Sequence, residues 1–284
     1  MKFYTFAIKC KYWRPGCNFL NEILKEVNKI KHLIKDGDIL VLSEKALSTA
    51  LNLIIDESKV KPSFSAKFLA KFWVRIIWGF ILGPLCRLSL KNLFYIRSYP
   101  IKEGALHKQL AISYAGLIQA LKVWSEGGID VTNLPYAYAS LPLKNPEETA
   151  EKILNALKMN LKINKKIGVL IVDSDKTFSF RCIHLSSRKT CFKGLINLGP
   201  LAYIIGRIFK WKPRSTPIAL KGFDLSLEEA LQVSAASNKA RKSGAGKTIW
   251  EASRLFNTGL TNITWEMLEK IPHYPIVLIR KIKA

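Results

Sequence analysis

Apolar side chains recur at helical spacing over residues 19–34, where Leu20, Ile23, Leu24, Val27, Ile30 and Ile34 fall three or four apart. Asn18 stands at the N-cap position, and Asp36-Gly37-Asp38 supplies the turn that ends the helix. The unbroken run Ile39-Leu40-Val41-Leu42 then predicts a short buried strand, and Val169-Leu170-Ile171-Val172 predicts another. Residues 3–8 alternate weakly and predict a first strand. Asn145-Pro146-Glu147-Glu148 opens a helix: a cap, a first-turn proline and two acids at the positive end of the dipole. Its buried face is Ala150, Ile153, Leu154 and Leu157. Residues 216–220 predict a strand and 225–240 an amphipathic helix capped by Ser226. Residues 265–270 and 271–280 close the chain as helix and strand.

Between these patterned ends lies a different stretch, residues 56–123. It predicts helices at 64–82, 88–99 and 106–123, punctuated by Pro84 and Pro100. Residues 72–88 are aromatic and aliphatic, interrupted by Arg75 and broken by Gly83-Pro84. Their longest uncharged run, 76–86, is shorter than the ~20 residues a bilayer span needs. A buried helix pair is the first reading. A monotopic membrane contact is the second, because Lys67, Lys71, Arg75 and Arg87 flank the apolar groups.

Composition adds a sign. Lys and Arg total 45 against 21 Asp and Glu, a net charge of +24, spread along the chain instead of gathered in a tail. That balance calls for an anionic partner: a nucleotide, a phosphorylated cofactor, a nucleic acid or an anionic membrane. At 284 residues and 49% hydrophobic, the chain can build one large core. Its five cysteines lack the tight spacing of a zinc site and read as reduced, which suits a cytoplasmic protein. The first residues have no long apolar run of the signal-peptide kind.

Two stretches carry candidate chemistry. In Gly127-Gly128-Ile129-Asp130-Val131-Thr132-Asn133, paired glycines allow a tight turn, and a carboxylate, a hydroxyl and an amide follow. These are oxygen donors suited to a hard cation. Asp173 and Ser174 stand at the end of the strand run, where open α/β sheets place ligands. Alone, Asp130 also reads as a turn residue and Asp173 as a cap; converging, the two make a divalent-metal site. His107 reads as a surface or helix-start residue, since no second ligand stands at ligand spacing. Ser243-Gly244-Ala245-Gly246-Lys247-Thr248 looks like a P-loop but is not one. Arg241 occupies the leading-glycine position, and a helical pattern precedes the loop instead of a strand. Its open amides and Lys247 still suit an anion, or the loop is a plain surface turn.

The first motif, from Gly128 to Asn133, resembles the Gly-Ile-Asp-Ala-Ser-Asn of the coenzyme F420-0:L-glutamate ligase family. Ile171-Val172-Asp173-Ser174 resembles that family's Ile-x-Asp-Thr. Asp36-Gly37-Asp38-Ile39-Leu40-Val41-Leu42-Ser43 resembles its Asp-Gly-Asp-Val-Leu-Val-Val-Thr, and Ile271-Pro272 with the strand after it resembles its closing segment. In the nucleotide loop Lys45 and Ser48 match, whereas a second lysine, a glutamate and a glycine do not. The resemblance implies an α/β (α+β) single domain with a mixed sheet, here carrying the helical insertion at 56–123, and a homodimer. It implies Mg2+ or Mn2+ held by Asp130, Asp173 and Ser174, with Glu251 the nearest third acid, and GTP as co-substrate. Lys45, Ser48, Asn133, Gly244, Gly246 and Lys247 would meet the nucleotide, and Arg181 the anionic substrate. The implied reaction joins L-glutamate to a phosphorylated cofactor precursor through an acyl phosphate. Three other readings stand beside it: a related ligase with a different donor or acceptor, a non-catalytic nucleotide- or nucleic-acid-binding paralogue, and a membrane-surface protein.

Overall fold

The computed structural model describes residues 2–282. Nine strands are present among them: β1 (Lys2–Cys10), β2 (Ile39–Ser43), β3 (Ile54–Asp56), β4 (Tyr138–Ser140), β5 (Gly168–Phe180), β6 (Ile183–Ser186), β7 (Leu195–Asn197), β8 (Lys212–Lys221) and β9 (His273–Ile282). The main sheet runs β1-β9-β2-β5-β6-β7 with β8 paired to β5, while β3 and β4 form a separate ribbon. β2 and β5 are parallel; β1–β9, β2–β9 and β5–β8 are antiparallel. The mixed α/β architecture expected from the resemblance is the one observed.

Strand alternation divides the apolar residues between the two faces. Leu40, Leu42, Val169 and Ile171 belong to the cluster filled by Ile23 and Val27 of helix Phe19–Lys29 and Ile153 and Leu157 of helix Pro146–Asn160. Ile39, Val41, Leu170 and Val172 meet Val233 of helix Leu227–Ala240. Local signals behave as the sequence predicts at most ends. Asn18 caps by accepting from the Asn21 amide at 3.1 Å, and Ser226 and Glu229 form a reciprocal capping box. Asn145 differs: its side chain donates to Glu148 at 3.1 Å instead of accepting from the helix backbone.

The insertion forms helices Phe64–Leu85, Leu90–Arg97 and Ile101–Ala115 with apolar clusters of their own. The last starts right after Pro100, earlier than the apolar spacing suggested. It stops at Gly116, whose φ of 86° no helix accommodates, and a short helix Leu117–Ala120 follows. Phe64–Leu85 is long and apolar enough to cross a membrane, yet a third of its apolar stretch is buried inside the fold. The expectation of a buried helix pair therefore holds for one face only. Ala66, Ala70, Val74 and Trp78 are buried; Phe64, Phe68, Phe72, Ile76 and Phe80 are exposed. All five cysteines are free.

Candidate functional site

Because β2 and β5 are parallel neighbours with Ser43 opposite Val172, β2 ends beside the middle of β5, next to Val172 and Asp173. Glu44 and Lys45 leave β2 there, and Asp173 to Lys176 continue β5. The β5–β8 ladder slips at this point: Asp173 pairs with Thr216 and Lys176 with Ser215, so Ser174 and Asp175 bulge out of register. Bulges of this kind re-aim side chains beside sites.

The Gly127–Asn133 motif reaches the same end of the sheet by a different route. Gly127 and Gly128 have φ of 64° and 92°, and Asp130 bridges Ser140 through both backbone groups. A Cβ on Gly128 would lie 2.6 Å from an Arg188 nitrogen, so only glycine fits. Asp130 Oδ1 accepts from the Thr132 amide and hydroxyl, each at 2.7 Å, and its Oδ2 accepts from Lys45 Nζ at 2.9 Å. Lys45 also donates to the Thr132 carbonyl and hydroxyl. Burial pushes the Asp130 carboxyl up, but Lys45 and the Thr132 donors outweigh it and hold the group below its ordinary value.

Asn133 ties this motif to the glycine-rich loop. Its Oδ1 accepts from the Ala245 amide at 2.7 Å and its Nδ2 donates to the Gly246 carbonyl at 3.1 Å. Gly244 must lack a side chain, since a Cβ would sit 2.8 Å from Asn133 Oδ1. The loop follows a helix and not a strand, which bears out the rejection of a P-loop.

A cavity of about 610 Å³ results, lined by Lys45, Asn133, Gly244, Gly246 and Lys247. Arg241 lines it as well. Its Nε and one terminal nitrogen are buried with no partner among the described residues, and burial lowers its pKa to about 10. A second cavity of about 620 Å³ is walled by Tyr99, Trp124, Tyr138, Tyr203 and Trp250, with Asp130 and Asp175 on its wall. Thr132, Ser174, Lys176 and Lys247 line both, so the two chambers adjoin at a polar partition. Burial raises the Asp175 carboxyl to about 6, although Lys122 lies 3.3 Å away.

The remaining expectations fare unevenly. Ser48 is fully buried in helix Glu44–Ala50 and lines neither cavity. Arg181 sits in the β5–β6 hairpin at φ 50° with its guanidinium over Phe180, away from both. Glu251 accepts from the Lys247 amide and from Lys91, bracing the glycine-rich loop from outside. His107 is no surface residue: it bridges Glu57 at 2.6 Å and Glu126 at 3.0 Å on the wall of the aromatic cavity.

The carboxylates nominated for a metal are already engaged. Arg188 donates to both oxygens of buried Glu44, at 2.6 and 2.9 Å, and to Asp173 Oδ2 at 2.8 Å. Lys45 closes Asp130 in the same way. Among the described residues no three His, Cys, Asp or Glu side chains group as metal ligands. As arranged, this donor set does not fit a divalent-metal centre: two cations of the chain occupy the positions that face such an ion.

The family model for F420-0:gamma-glutamyl ligase matches residues 7–187. The chain belongs to that ligase family. The matched stretch contains the Asp130 and Asp173 motifs and the helical insertion; β8, the glycine-rich loop and β9 lie beyond it. A protein of Methanocaldococcus jannaschii described as uncharacterized is 32% identical over 286 residues, covering 97% of this chain and 96% of its own length. The similarity therefore spans the insertion and the C-terminal strands as well as the family core.

Sequence reasoning gave no site role to Arg241, Lys176, Asp175 and Glu44, and read Arg188 as one of several basic groups that could meet phosphates, not as the clamp between Glu44 and Asp173. Arg241 had a signal: it lies in the basic run Lys239-Ala240-Arg241-Lys242 that leads into the glycine-rich loop. Arg188 had none, since its partners lie 15 and 144 residues away.

Proposed function

We propose that the chain is a nucleotide-dependent ligase joining L-glutamate to an anionic, phosphate-bearing acid through an acyl phosphate. The observation that carries the reading is the pair of adjoining chambers, one basic and one aromatic, meeting at Thr132, Ser174, Lys176 and Lys247. A ligation of this kind needs a triphosphate and a carboxylate held apart except at one point of contact.

In this reading the triphosphate of GTP lies in the basic chamber. The Arg241 guanidinium, two of whose nitrogens are buried without a partner among the described residues, and the Lys247 ammonium meet its phosphates, and Gly244 and Gly246 let the loop backbone come close. An apolar part of the acid substrate lies among Tyr99, Trp124 and Trp250, with its carboxylate toward Lys176. The carboxylate oxygen bonds to the γ-phosphorus as the bridge to the nucleoside diphosphate breaks. Glutamate's amine then attacks the acyl carbon, phosphate departs, and the ammonium proton passes to Asp175. A carboxylate with a pKa of about 6 is ionised at neutral pH and basic enough for that transfer. Lys45, Lys176, Arg241 and Lys247 balance the charge on the phosphates. The Mg2+ or Mn2+ implied by the resemblance enters no step here, because Lys45 and Arg188 hold Asp130 and Asp173.

Calorimetry with GTP and ATP, each with and without manganese, tests the reading. GTP binding at micromolar or better affinity is expected, weakened about tenfold or more by Arg241→Ala. A wild-type protein that binds neither nucleotide under any of these conditions removes the ligase reading. A second reading, nucleotide binding without turnover, draws on the closed Glu44–Arg188–Asp173 triad. Mass spectrometry for a glutamyl product separates the two.

A further inference from the structure

We propose that the insertion docks this protein on an anionic lipid surface through the outer face of helix Phe64–Leu85. From Ser58 to Lys102 the chain has nine lysines and arginines and not one acid. Within that stretch the helix repeats every four residues on both faces. Ala66, Ala70, Val74 and Trp78 pack inward; Phe64, Phe68, Phe72, Ile76 and Phe80 face outward. A four-residue repeat drifts around an ordinary α-helix. Here residues Leu69–Leu82 are wound with the wider i→i+5 turn, whose drift runs opposite to that of the α-helical turns before it.

Exposed apolar residues recur at the end of the helix and in the next one. Leu85, Leu90 and Phe94 are exposed as well, and Phe64 and Leu90 are more than four-fifths accessible. Single exposed apolar residues are ordinary on a protein surface; a row this long marks a contact. The sign of its border chooses the partner. Lys67, Lys71, Arg87 and Arg97 stand exposed along the same segment, and Lys67 and Lys71 have no ion-pair partner among the described residues. Aromatic and aliphatic groups flanked by unpaired cations match the acyl–headgroup boundary of a membrane carrying negative lipids. A second copy of this chain is the poorer match, because a two-fold pairing of such faces would bring lysine rows together with no acid to offset them. Spanning is excluded by the inward face, which is packed against Leu88, Leu93 and Ile96.

Vesicle flotation tests the proposal without nucleotide or turnover, so its outcome is independent of the ligase reading. The full chain is mixed with vesicles of phosphatidylcholine alone or of phosphatidylcholine with 30–40% phosphatidylglycerol, as a rough working range of anionic content. Flotation with the anionic vesicles and its absence with the neutral ones is expected. Replacing Phe64, Phe68 and Phe72 together by serine should cut the floated fraction about tenfold or more, with the thermal midpoint unchanged because all three are exposed. Lys67→Glu with Lys71→Glu should give a similar loss. No flotation with either vesicle overturns the proposal. So does undiminished flotation of the triple serine variant, which would reduce the contact to charge alone. A dimer by light scattering that dissociates in the triple serine variant assigns the face to a second copy and overturns it equally.

Discussion

Arg188 decides the character of the inner site. Its guanidinium lies between buried Glu44 and Asp173, against the backbone of Gly128. Two carboxylates beside one cation form a satisfied buried triad; deleting the cation leaves two uncompensated charges, a loss on the order of 3–5 kcal/mol. Gly128→Ala attacks the same triad from the other side. The new methyl group must displace the Arg188 terminus and adopt a φ of 92°. We expect a destabilisation of about 1–3 kcal/mol in denaturant melts, with Gly127 and Asp130 left in sequence as they are. Asp175 offers a cleaner functional readout. Burial lifts its carboxyl to about 6, so it is ionised above that pH and protonated below. A group that must accept a proton loses activity as pH falls through its folded pKa. The kcat/KM profile should therefore drop below about pH 6, and Asp175→Asn should lower the plateau roughly 10²–10⁴-fold and flatten that limb. An unchanged profile in the variant would remove Asp175 as the base.

At the scale of elements, the sequence disclosed what local spacing encodes and little of what distant partners do. The helices at Phe19–Lys29 and Leu227–Ala240, the strands β2 and β9 and the turn at Gly37 follow from periodicity and turn chemistry. The meeting of Lys45, Asn133, Gly244 and Lys247 around one cavity followed from the family resemblance, since no local pattern joins residues so far apart. Ser48 and Arg181 fall outside both cavities for a physical reason. Ser48 lies on the inward face of a short helix, and Arg181 sits at the tip of the β5–β6 hairpin and lines neither cavity. His107 was misjudged because its partners Glu57 and Glu126 lie 50 and 19 residues away along the chain. That cluster, completed by buried Lys108 donating to Glu126, is the polar centre of an otherwise apolar unit. The two glutamates raise His107 to about 10 against the effect of burial, and its stabilising charge is complete below about pH 6.5 and lost as pH rises through 10. Lys108 and His107 hold Glu126 well below its ordinary value despite burial, so its contribution is present above about pH 4.5 and fades under acid. Glu126→Gln leaves Lys108 buried and unpaired; we expect a loss on the order of 3–5 kcal/mol and a narrower pH range of stability, read by thermal melts from pH 4 to 10.

Over the whole molecule the +24 charge acts at longer range than any single contact. Lys176, Lys239, Arg241, Lys242 and Lys247 all line the cavity assigned to phosphates, and no acid other than Asp173 lines it with them. Such a field concentrates polyanions at the mouth and raises their association rate. Long-range attraction between exposed charges is screened with a Debye length of about 10 Å at 0.1 M salt and about 3 Å at 1 M. GTP association followed by stopped-flow should therefore slow by about tenfold between low salt and 0.5 M, while dissociation, governed by the buried Arg241 contacts, should change far less. A nucleic-acid-binding protein of the same charge would behave differently. Its affinity for a duplex would fall with a steep log–log slope set by the number of phosphates neutralised, and that slope would be insensitive to Arg241→Ala, because a cavity of about 610 Å³ admits a nucleotide and not a helix. A salt-steep duplex affinity exceeding that for GTP would transfer the positive surface from substrate capture to nucleic acid. A shallow one, with GTP capture slowed by salt and lost with Arg241, ties the charge of the chain to the cleft where the β2–β5 pairing ends.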